Sequence, residues 1–573
     1  MKLETLINKL VPTLYEDEHL LAVVKPAGVD AGGTQGQPTA GLAEILARIR
    51  GRGETLEPAN RLSRYESGVL LLGKEATIVS HIRTGLRSMR IAQEFVVVVL
   101  GRMREPRLEI GPGRGASHAK GRQRRPKTWD RLSSLSLDRL ESRSHRAGPQ
   151  TTLSLIRQAE RRALIRCRTN VRSTHALRAQ LRSVRLRLVG DSLHDRSQRQ
   201  KQPELTCSHL ARIAFHHPAV KSKITLTSRP PNAFSAVVEG KRDVERALHA
   251  ALTRRLACIA EANTDSYRLL TGDLEGLKRL VAEKHGELVI LQIQEALPAL
   301  MESLRSIARW YRDTLGVQAV YVRPPPFASQ RRGHPPRVRT GVDDELVGEF
   351  RPPKPLLGRS VPEQIEITER GLKFAIRPYN GPSVGLFLDH RDNRSRIRSM
   401  AERKDVLNLF AYTCGFSVAA AVGGADHTVS VDISPKHLEW GQVNFELNGL
   451  DLTNHQFIQS EAFDYLKRAK RQAKEFDLIL LDPPSFAHGR KRKQDFSIAR
   501  DLAGLITASL EVLRPGGLLM ISSNYRRLSL RGLRERVKQG AGHRKFKVIE
   551  TPRLPVDFAM DPDHAKTIFV RFE

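Results

Sequence analysis

The sequence predicts three blocks: an α+β domain over 1–235, a small central α/β domain over 236–375, and a doubly wound α/β domain over 376–573. Three observations predict them. After 376, apolar strand-like runs alternate with helix-like stretches, the pattern of a parallel sheet covered on both faces. Before 235, the apolar runs are short and β-rich and close on Pro or Gly. Between the two, apolar residues recur at helical spacing.

In the first block, "LLAVVKPAG" and "EFVVVVLGR" read as strands, and "GPGRGASHAKGRQRRPK", 111–127, as a Gly/Arg/Lys loop. "SRPPNAF", 228–234, is the turn that closes the block. In the second, "DVERALHAALTRRLACIAEA" places Val244, Ala247, Leu248, Ala251, Leu252 and Leu256 on one helical stripe. "KRLVAEKHGELVILQIQ" is a strand pair turning at "HGE", and "PALMESLRSIARWYRDTLG" a second helix. Proline-rich loops, "RPPPFASQRRGHPP" and "FRPPKPL", lead to the third block. There "DVLNLFAY", "HTVSVDI", "FDLILLD", "LLMISSN" and "TIFVRF" are strands, and "GFSVAAAVGG", "PKHLEWGQVNFELNG" and "DLAGLITASLEVLRPGG" are helices.

The formal net charge of +33 on 573 residues implies a polyanionic partner, nucleic acid before an anionic membrane. No apolar run reaches the roughly 18 residues of a membrane helix, and "MKLETLINKL" lacks the features of a signal peptide. Residues 101–200 hold 25 Arg or Lys against 8 Asp or Glu, about half the excess. The bland alternative is a solvated, arginine-rich loop. The cysteines, Cys167, Cys207, Cys258 and Cys414, are scattered and form no CxxC pair. No disulfide framework and no metal site is expected, and a reducing cytoplasm fits.

The chemistry-bearing residues lie in the third block. "LNLFAYTCGFS" joins a strand to a helix through small residues that let backbone approach a ligand. Asp432, closing "VSVD" one βα unit later, is placed to accept hydrogen bonds from the hydroxyls of a ribose. "LILLDPPSF" puts Asp482, Pro483 and Pro484 at a strand end, followed by Phe486. The prolines stiffen the turn and remove donors, so carboxylate and carbonyls are free to grip an amino or imino group while Phe486 stacks on a base. This ordered set resembles the class I, Rossmann-like S-adenosylmethionine-dependent methyltransferases, and within them those acting on bases of 23S ribosomal RNA. "VGLFLDHRDNR", 384–394, is similar to that family's Gly-x-Phe-Leu-Asp-x-Arg segment. "DSYRLLTGDLEGLKRLVAEKHGELVILQ" is similar to its preceding small domain, with Glu275 and Lys278 replacing two usual residues. The resemblance implies S-adenosylmethionine as cofactor, held by Asp389, Arg391, Asn408, Phe410, Tyr412, Gly415, Asp432, Glu461 and Asp482. It implies that Asp482, Pro483, Pro484 and Phe486 face the target base. The family has Gly where this chain has Cys414.

One branch of the family makes 5-methylcytosine and adds a cysteine to the ring first, because carbon 5 is a poor nucleophile. In that branch the cysteine follows the strand that here reads "MISSNYRR", and this chain has none after Cys414. The other branch makes N7-methylguanosine, which needs alignment and electrostatics alone. "DPPSFAHGRKRKQDFSIARD" and "SSNYRR" are similar to this second branch, so Arg490, Lys491, Arg492 and Arg526 are candidate RNA contacts.

The first block resembles the pseudouridine synthases of large-subunit rRNA and tRNA. "NRLSRYESGVLLLGK", 60–74, is similar to their His-Arg-Leu-Asp-x-x-Thr-Ser-Gly-Leu-Leu loop, and "VRSTHALRAQL" and "HLARIAFHHP" to later motifs. The active site departs from the pattern. Ser63 stands for the nucleophilic aspartate, Gln93 for a lysine, Phe95 for a tyrosine and Ser173 for an arginine. Asp30 and Glu66 are the remaining acids that could substitute. The resemblance thus implies a catalytically degenerate, RNA-binding domain in which Arg61 contacts RNA. Two alternatives stay open: a methyltransferase of rRNA cytosine C5 or another RNA target, and a non-catalytic ribosome-assembly factor.

Overall fold

The computed structural model describes residues 3–573 apart from 34–39, 52, 112–116, 119–149, 192–205, 241–243, 262, 296, 324–353, 380–382, 488–495 and 560. Most of the 111–127 loop, and Arg490, Lys491 and Arg492, fall outside the described residues.

The chain forms two compact units: 1–260 with 272–278 and 299–316, and 261–271 with 279–298 and 317–573. The central block anticipated over 236–375 is therefore divided rather than compact in itself. Its helices, Val244–Arg254 and most of Pro298–Leu315, go with the first unit. Residues 272–278 follow them because buried Glu275 pairs with Arg254 and Arg255. Its strands go with the second unit, where Leu288, Ile290, Ala319 and Tyr321 share one apolar cluster with Phe374, Leu386 and Phe445. The anticipated hairpin is present as Leu280–His285 and Leu288–Ile293, with Gly286 at a φ of 53° in the turn.

The first unit is built on a 12-stranded, largely antiparallel sheet. Its central strand, Ala92–Leu100, is buried on both faces from Ala92 to Val99, as the apolar run that begins at Phe95 requires, and the polar Gln93 and Glu94 are buried ahead of it. The strands Ser67–Gly73 and Ser208–His216 pair in parallel, His209 opposite Ser67 and Leu210 opposite Gly68. Gly68, at a φ of 124°, lies so close to Leu210 that a Cβ there would meet its backbone nitrogen at 2.4 Å. That approach explains the glycine of the "ESG" loop.

In the second unit, helix α1 (Arg391–Met400) precedes a seven-stranded sheet. In chain order the elements are β1 (Asp405–Leu409), α2 (Gly415–Val422), β2 (His427–Asp432), α3 (Pro435–Leu447), β3 (His455–Gln459), α4 (Ala462–Arg471), β4 (Phe476–Leu481), α5 (Ile498–Leu510), β5 (Leu513–Ser523), α6 (Leu530–Ala541), β6 (Phe546–Glu550) and β7 (Lys566–Phe572). The strand order is β3-β2-β1-β4-β5-β7-β6. The sheet is parallel except for β7, which runs antiparallel to both neighbours. A wholly parallel sheet was expected. The described residues between β6 and β7 form no helix, and the chain reverses beside β6 instead of crossing over the sheet. The order turns back between β1 and β4, where open α/β sheets leave a crevice beyond their carboxyl ends.

Two buried ion pairs fix α1, one to the connection between β6 and β7 and one to the two-stranded sheet that contains Ile365–Glu369. Arg391 reaches both oxygens of Asp557 at 3.0 and 3.1 Å and donates to the Ser266 carbonyl at 2.8 Å. Arg394 grips Glu369, at the end of strand Ile365–Glu369, at 2.7 and 2.8 Å. Asp557, Glu369, Arg391 and Arg394 are all nearly inaccessible to solvent. Removing one partner strands a buried charge, so Asp557→Ala is expected to cost this unit about 3–5 kcal/mol. Hydrogen exchange of the β1 and β4 amides measures it, and a loss below about 1 kcal/mol would show that the pair is dispensable.

Candidate active site

A cavity of about 340 Å³ opens over the carboxyl ends of β1, β2 and β4. Its first wall is the turn after β1. Phe410, Tyr412 and Cys414 there have φ of 58°, 48° and 61°, a left-handed conformation that is costly for bulky side chains. The surroundings enforce it. Ala411 N–H donates to the Val431 carbonyl at 3.0 Å, Cys414 N–H to the Ala411 carbonyl at 2.8 Å, and Tyr412 N–H to Asp432 Oδ2 at 2.9 Å. Cys414 is tolerated where glycine was expected because Gly441 of α3 lies against it; a Cβ on Gly441 would meet Cys414 Sγ at 2.4 Å. Cys414 is fully buried, and burial pushes its thiol up to about 12.

The second wall is acidic. Asp432 ends β2 with both oxygens oriented by backbone, Oδ2 by Tyr412 and Oδ1 by Ser434 N–H at 2.9 Å. Glu461 caps α4, its Oε2 accepting the N–H of Phe463 at 2.9 Å and of Asp464 at 3.2 Å. Asp389 lies in a short 3₁₀ turn, Leu388–His390, with its Oδ2 3.4 Å from His564 Nε2. Burial pushes the Asp389 carboxyl up, but His390, His564 and Arg268 outweigh it and hold the group well below the usual carboxylate range. Asp482 follows β4, with its Oδ2 3.1 Å from His390 Nε2. Burial would lower the His390 pKa, yet Asp482 and Asp389 raise it.

Phe410, Tyr412, Gly415, Asp389, Asp432, Glu461, Asp482, Pro483 and Pro484, all singled out in the sequence, line the cavity together. Phe486 stands just beyond Pro484, 66% exposed, its ring edge-on to Tyr525 at 6.1 Å. Two expectations are corrected. Arg391 does not line the cavity, because its guanidinium is committed to Asp557 and the Ser266 carbonyl behind α1. Asn408 does not line it either: one residue before the strand end, it faces α2 and donates to Ser417 Oγ at 2.9 Å. Lining residues that sequence reasoning passed over include His390, Phe387, Ile433, His437 and Asn524. His390 sits inside the quoted "FLDHR" segment, and a histidine beside an acid there was the available signal. Among the proposed RNA contacts, Arg61 is exposed, and Arg526 pairs with Asp561 while keeping 66% of its side chain in solvent.

In the first unit, the four substituted positions are accounted for individually. Ser63 is exposed, and its N–H donates to Glu66 Oε2 at 2.9 Å. Gln93 is buried and donates to the Val171 carbonyl at 3.0 Å, and Phe95 is core. Ser173 caps the helix Thr174–Ser183. Glu66 links the Ser63 loop to that helix, taking Arg178 Nη2 at 2.8 Å and the Thr174 hydroxyl at 3.1 Å. Glu66 is completely buried and held by these donors, so it is not offered to a substrate as a nucleophile.

Residues 350–567 match the S-adenosylmethionine-dependent methyltransferase family. The chain is 32% identical over 280 residues to ribosomal RNA large subunit methyltransferase I of Erwinia tasmaniensis, covering 48% of this chain and 65% of that protein. It is 42% identical over 160 residues to ribosomal RNA large subunit methyltransferase K of Neisseria meningitidis, covering 28% of this chain and 45% of that one. With ribosomal RNA large subunit methyltransferase K/L of Psychrobacter sp. it shares 44% identity over 166 residues, 29% of this chain and 20% of that protein. The matches thus span less than two thirds of each relative's own length. The crystal structure of SMU.776 complexed with SAH superposes with a TM-score of 0.50 at 26% identity, over 63% of this chain and 87% of that one.

The packing of Cys414 on Gly441 yields a double-mutant test. Gly→Ala inside a helix ordinarily stabilises by about 0.5–1 kcal/mol. Here Gly441→Ala is expected to destabilise by about 1–3 kcal/mol, because the new methyl meets Cys414. In a Cys414→Gly background that loss should vanish. Urea denaturation of the four proteins measures the coupling, and additive effects would contradict the contact.

Proposed function

We propose that the chain is an S-adenosylmethionine-dependent methyltransferase that modifies a base of large-subunit ribosomal RNA at guanine N7. The observation that carries this reading is the charge of the cavity. In a chain of net +33, four carboxylates, Asp389, Asp432, Glu461 and Asp482, line it. Among the described residues that line it, Arg394 is the one Arg or Lys, and it is bound to Glu369. Such a wall suits a cationic sulfonium, and the cavity lies where this sheet type holds nucleosides. The cofactor supplies an electrophilic methyl group. Asp432, its oxygens already oriented, accepts from ribose hydroxyls, and Glu461 stands near the base of the nucleoside. Asp482 and the donor-free Pro483-Pro484 turn accept from amino or imino groups of the target, and Phe486 with Tyr525 offers it an aromatic surface.

Guanine N7 is favoured because its lone pair needs no protein nucleophile. Cytosine C5 needs a thiolate, and Cys414 is the last cysteine of the chain, buried, with its thiol pushed up to about 12. The names of the relatives support rRNA as the substrate. The test is nucleoside mass spectrometry after incubating transcribed 23S rRNA with the chain and S-adenosylmethionine. The expected product is 7-methylguanosine; 5-methylcytosine, or no methylated base, would overturn the reading. Asp432→Ala should weaken S-adenosylmethionine binding about 10- to 100-fold by calorimetry, the equivalent of about 1.5–3 kcal/mol for a hydrogen bond to a charged group. Unchanged affinity would place the cofactor elsewhere.

The first unit is proposed to be pseudouridine synthase-like and to bind RNA without modifying it. Ser63 carries no carboxylate, Glu66 is sequestered by Arg178, and Gln93, Phe95 and Ser173 all serve local packing or capping. No tritium release from 5-tritiated uridine in rRNA or tRNA is therefore expected, from the parent chain or from Ser63→Asp. Arg61→Glu should still lower RNA affinity. Release by the parent chain would show that another acid acts as nucleophile.

A further inference from the structure

The geometry points to His390 as a positioning residue, one that fixes the Asp482 carboxylate for the target base; the inference rests on the base-methyltransferase reading above. His390 Nε2 lies 3.1 Å from Asp482 Oδ2. The Asn393 amide nitrogen, which can only donate, lies 3.0 Å from His390 Nδ1 and 3.1 Å from Thr567 Oγ1. Thr567 in turn donates to Ser522 Oγ at 3.1 Å. Ser522, Thr567, Asn393 and His390 are all buried, so the chain of hydrogen bonds runs beneath the floor of the cavity and surfaces at Asp482.

The direction of the donors sets the outcome. With Asn393 donating to Nδ1, the imidazole carries its proton on Nε2 and gives it to Asp482 Oδ2. Oδ1 is then left to accept from the target. A carboxylate accepts only, so the base it holds must present N–H groups, as guanine does through N1–H and its 2-amino group. The two prolines stiffen the backbone beyond Asp482 but leave its side-chain torsions free. Among the described residues His390 is the side chain in hydrogen-bond contact with that carboxylate, so its donor decides where the base lies relative to the methyl group. An error of about 1 Å there costs about 100-fold in rate.

His390 also makes a T-shaped contact with the Phe416 ring, centroids 5.1 Å apart, so a purely structural role must be separated from positioning. Glutamine can present an amide N–H where Nε2 stands, asparagine reaches only the Nδ1 position, and phenylalanine keeps the ring without a donor. The experiment compares H390Q, H390N and H390F with the parent chain, reading kcat and KM on transcribed 23S rRNA and the Kd of S-adenosylmethionine by calorimetry. H390Q should stay within about fivefold of the parent in kcat, whereas H390N and H390F should fall about 10- to 100-fold, all with cofactor Kd within about twofold. An active parent whose three variants fall alike, or fall through cofactor Kd, overturns this inference alone. A parent that binds the cofactor and methylates no base overturns the methyltransferase reading together with it. Should a variant fail to fold, ¹⁵N shifts of the parent's own imidazole decide: an Nε2–H tautomer supports the inference, and an Nδ1–H tautomer overturns it.

Discussion

Two buried arginine–carboxylate pairs set the geometry on which the cavity depends. Arg391 and Arg394 leave α1 from one face and engage Asp557 and Glu369, which come from distant parts of the chain. Apolar residues of similar volume could hold that helix at least as firmly. They would not fix its rotation. Bidentate pairing does, because a guanidinium fork accepts a carboxylate in few orientations. The residues just before the helix, Asp389 and His390, are thereby delivered to the cavity wall. The Arg394 side chain also donates to the Phe387 carbonyl at 2.9 Å, which pins the segment ahead of the turn.

Charge is divided by function. The chain as a whole is strongly basic, which suits a polyanion whose binding would be salt-dependent. The cavity is lined by acids, which suits a cation and repels phosphate. In the proposed reading a nucleic acid is held by the surface while only an uncharged base enters the cavity. Phe387, Ile433 and Phe486, 47%, 57% and 66% exposed, give that entrance an apolar rim. Around it the strained turn after β1 is stabilised by Asp432, so the residue proposed to orient a ribose also holds the loop that borders it.

Much of this was legible in sequence because strand ends in open α/β sheets are marked by residue type. An acid closing "VSVD" and a rigid "DPP" after an apolar strand place Asp432 and Asp482 without coordinates. What escaped depended on contacts between distant segments. Arg391 reads as a site residue from its motif, and only the approach of Asp557 turns it away from the cavity. Asn408 misleads by one residue, since side chains alternate along a strand. Cys414 stands where the family has glycine, and the room for it comes from Gly441 on the next helix. The central block looked independent because its pattern changes at both ends. Long-range pairs such as Arg255–Glu275 assign its pieces to different units, and periodicity carries no information about them.

A structure of the chain with S-adenosylmethionine or a stable analogue tests the central claim most directly. The account predicts the ribose hydroxyls on the Asp432 carboxylate, the nucleoside base beside Glu461, and the methyl-bearing sulfur turned toward Asp482 and Phe486. A ligand lying away from Asp432, or one whose methyl group faces away from Asp482, would contradict it.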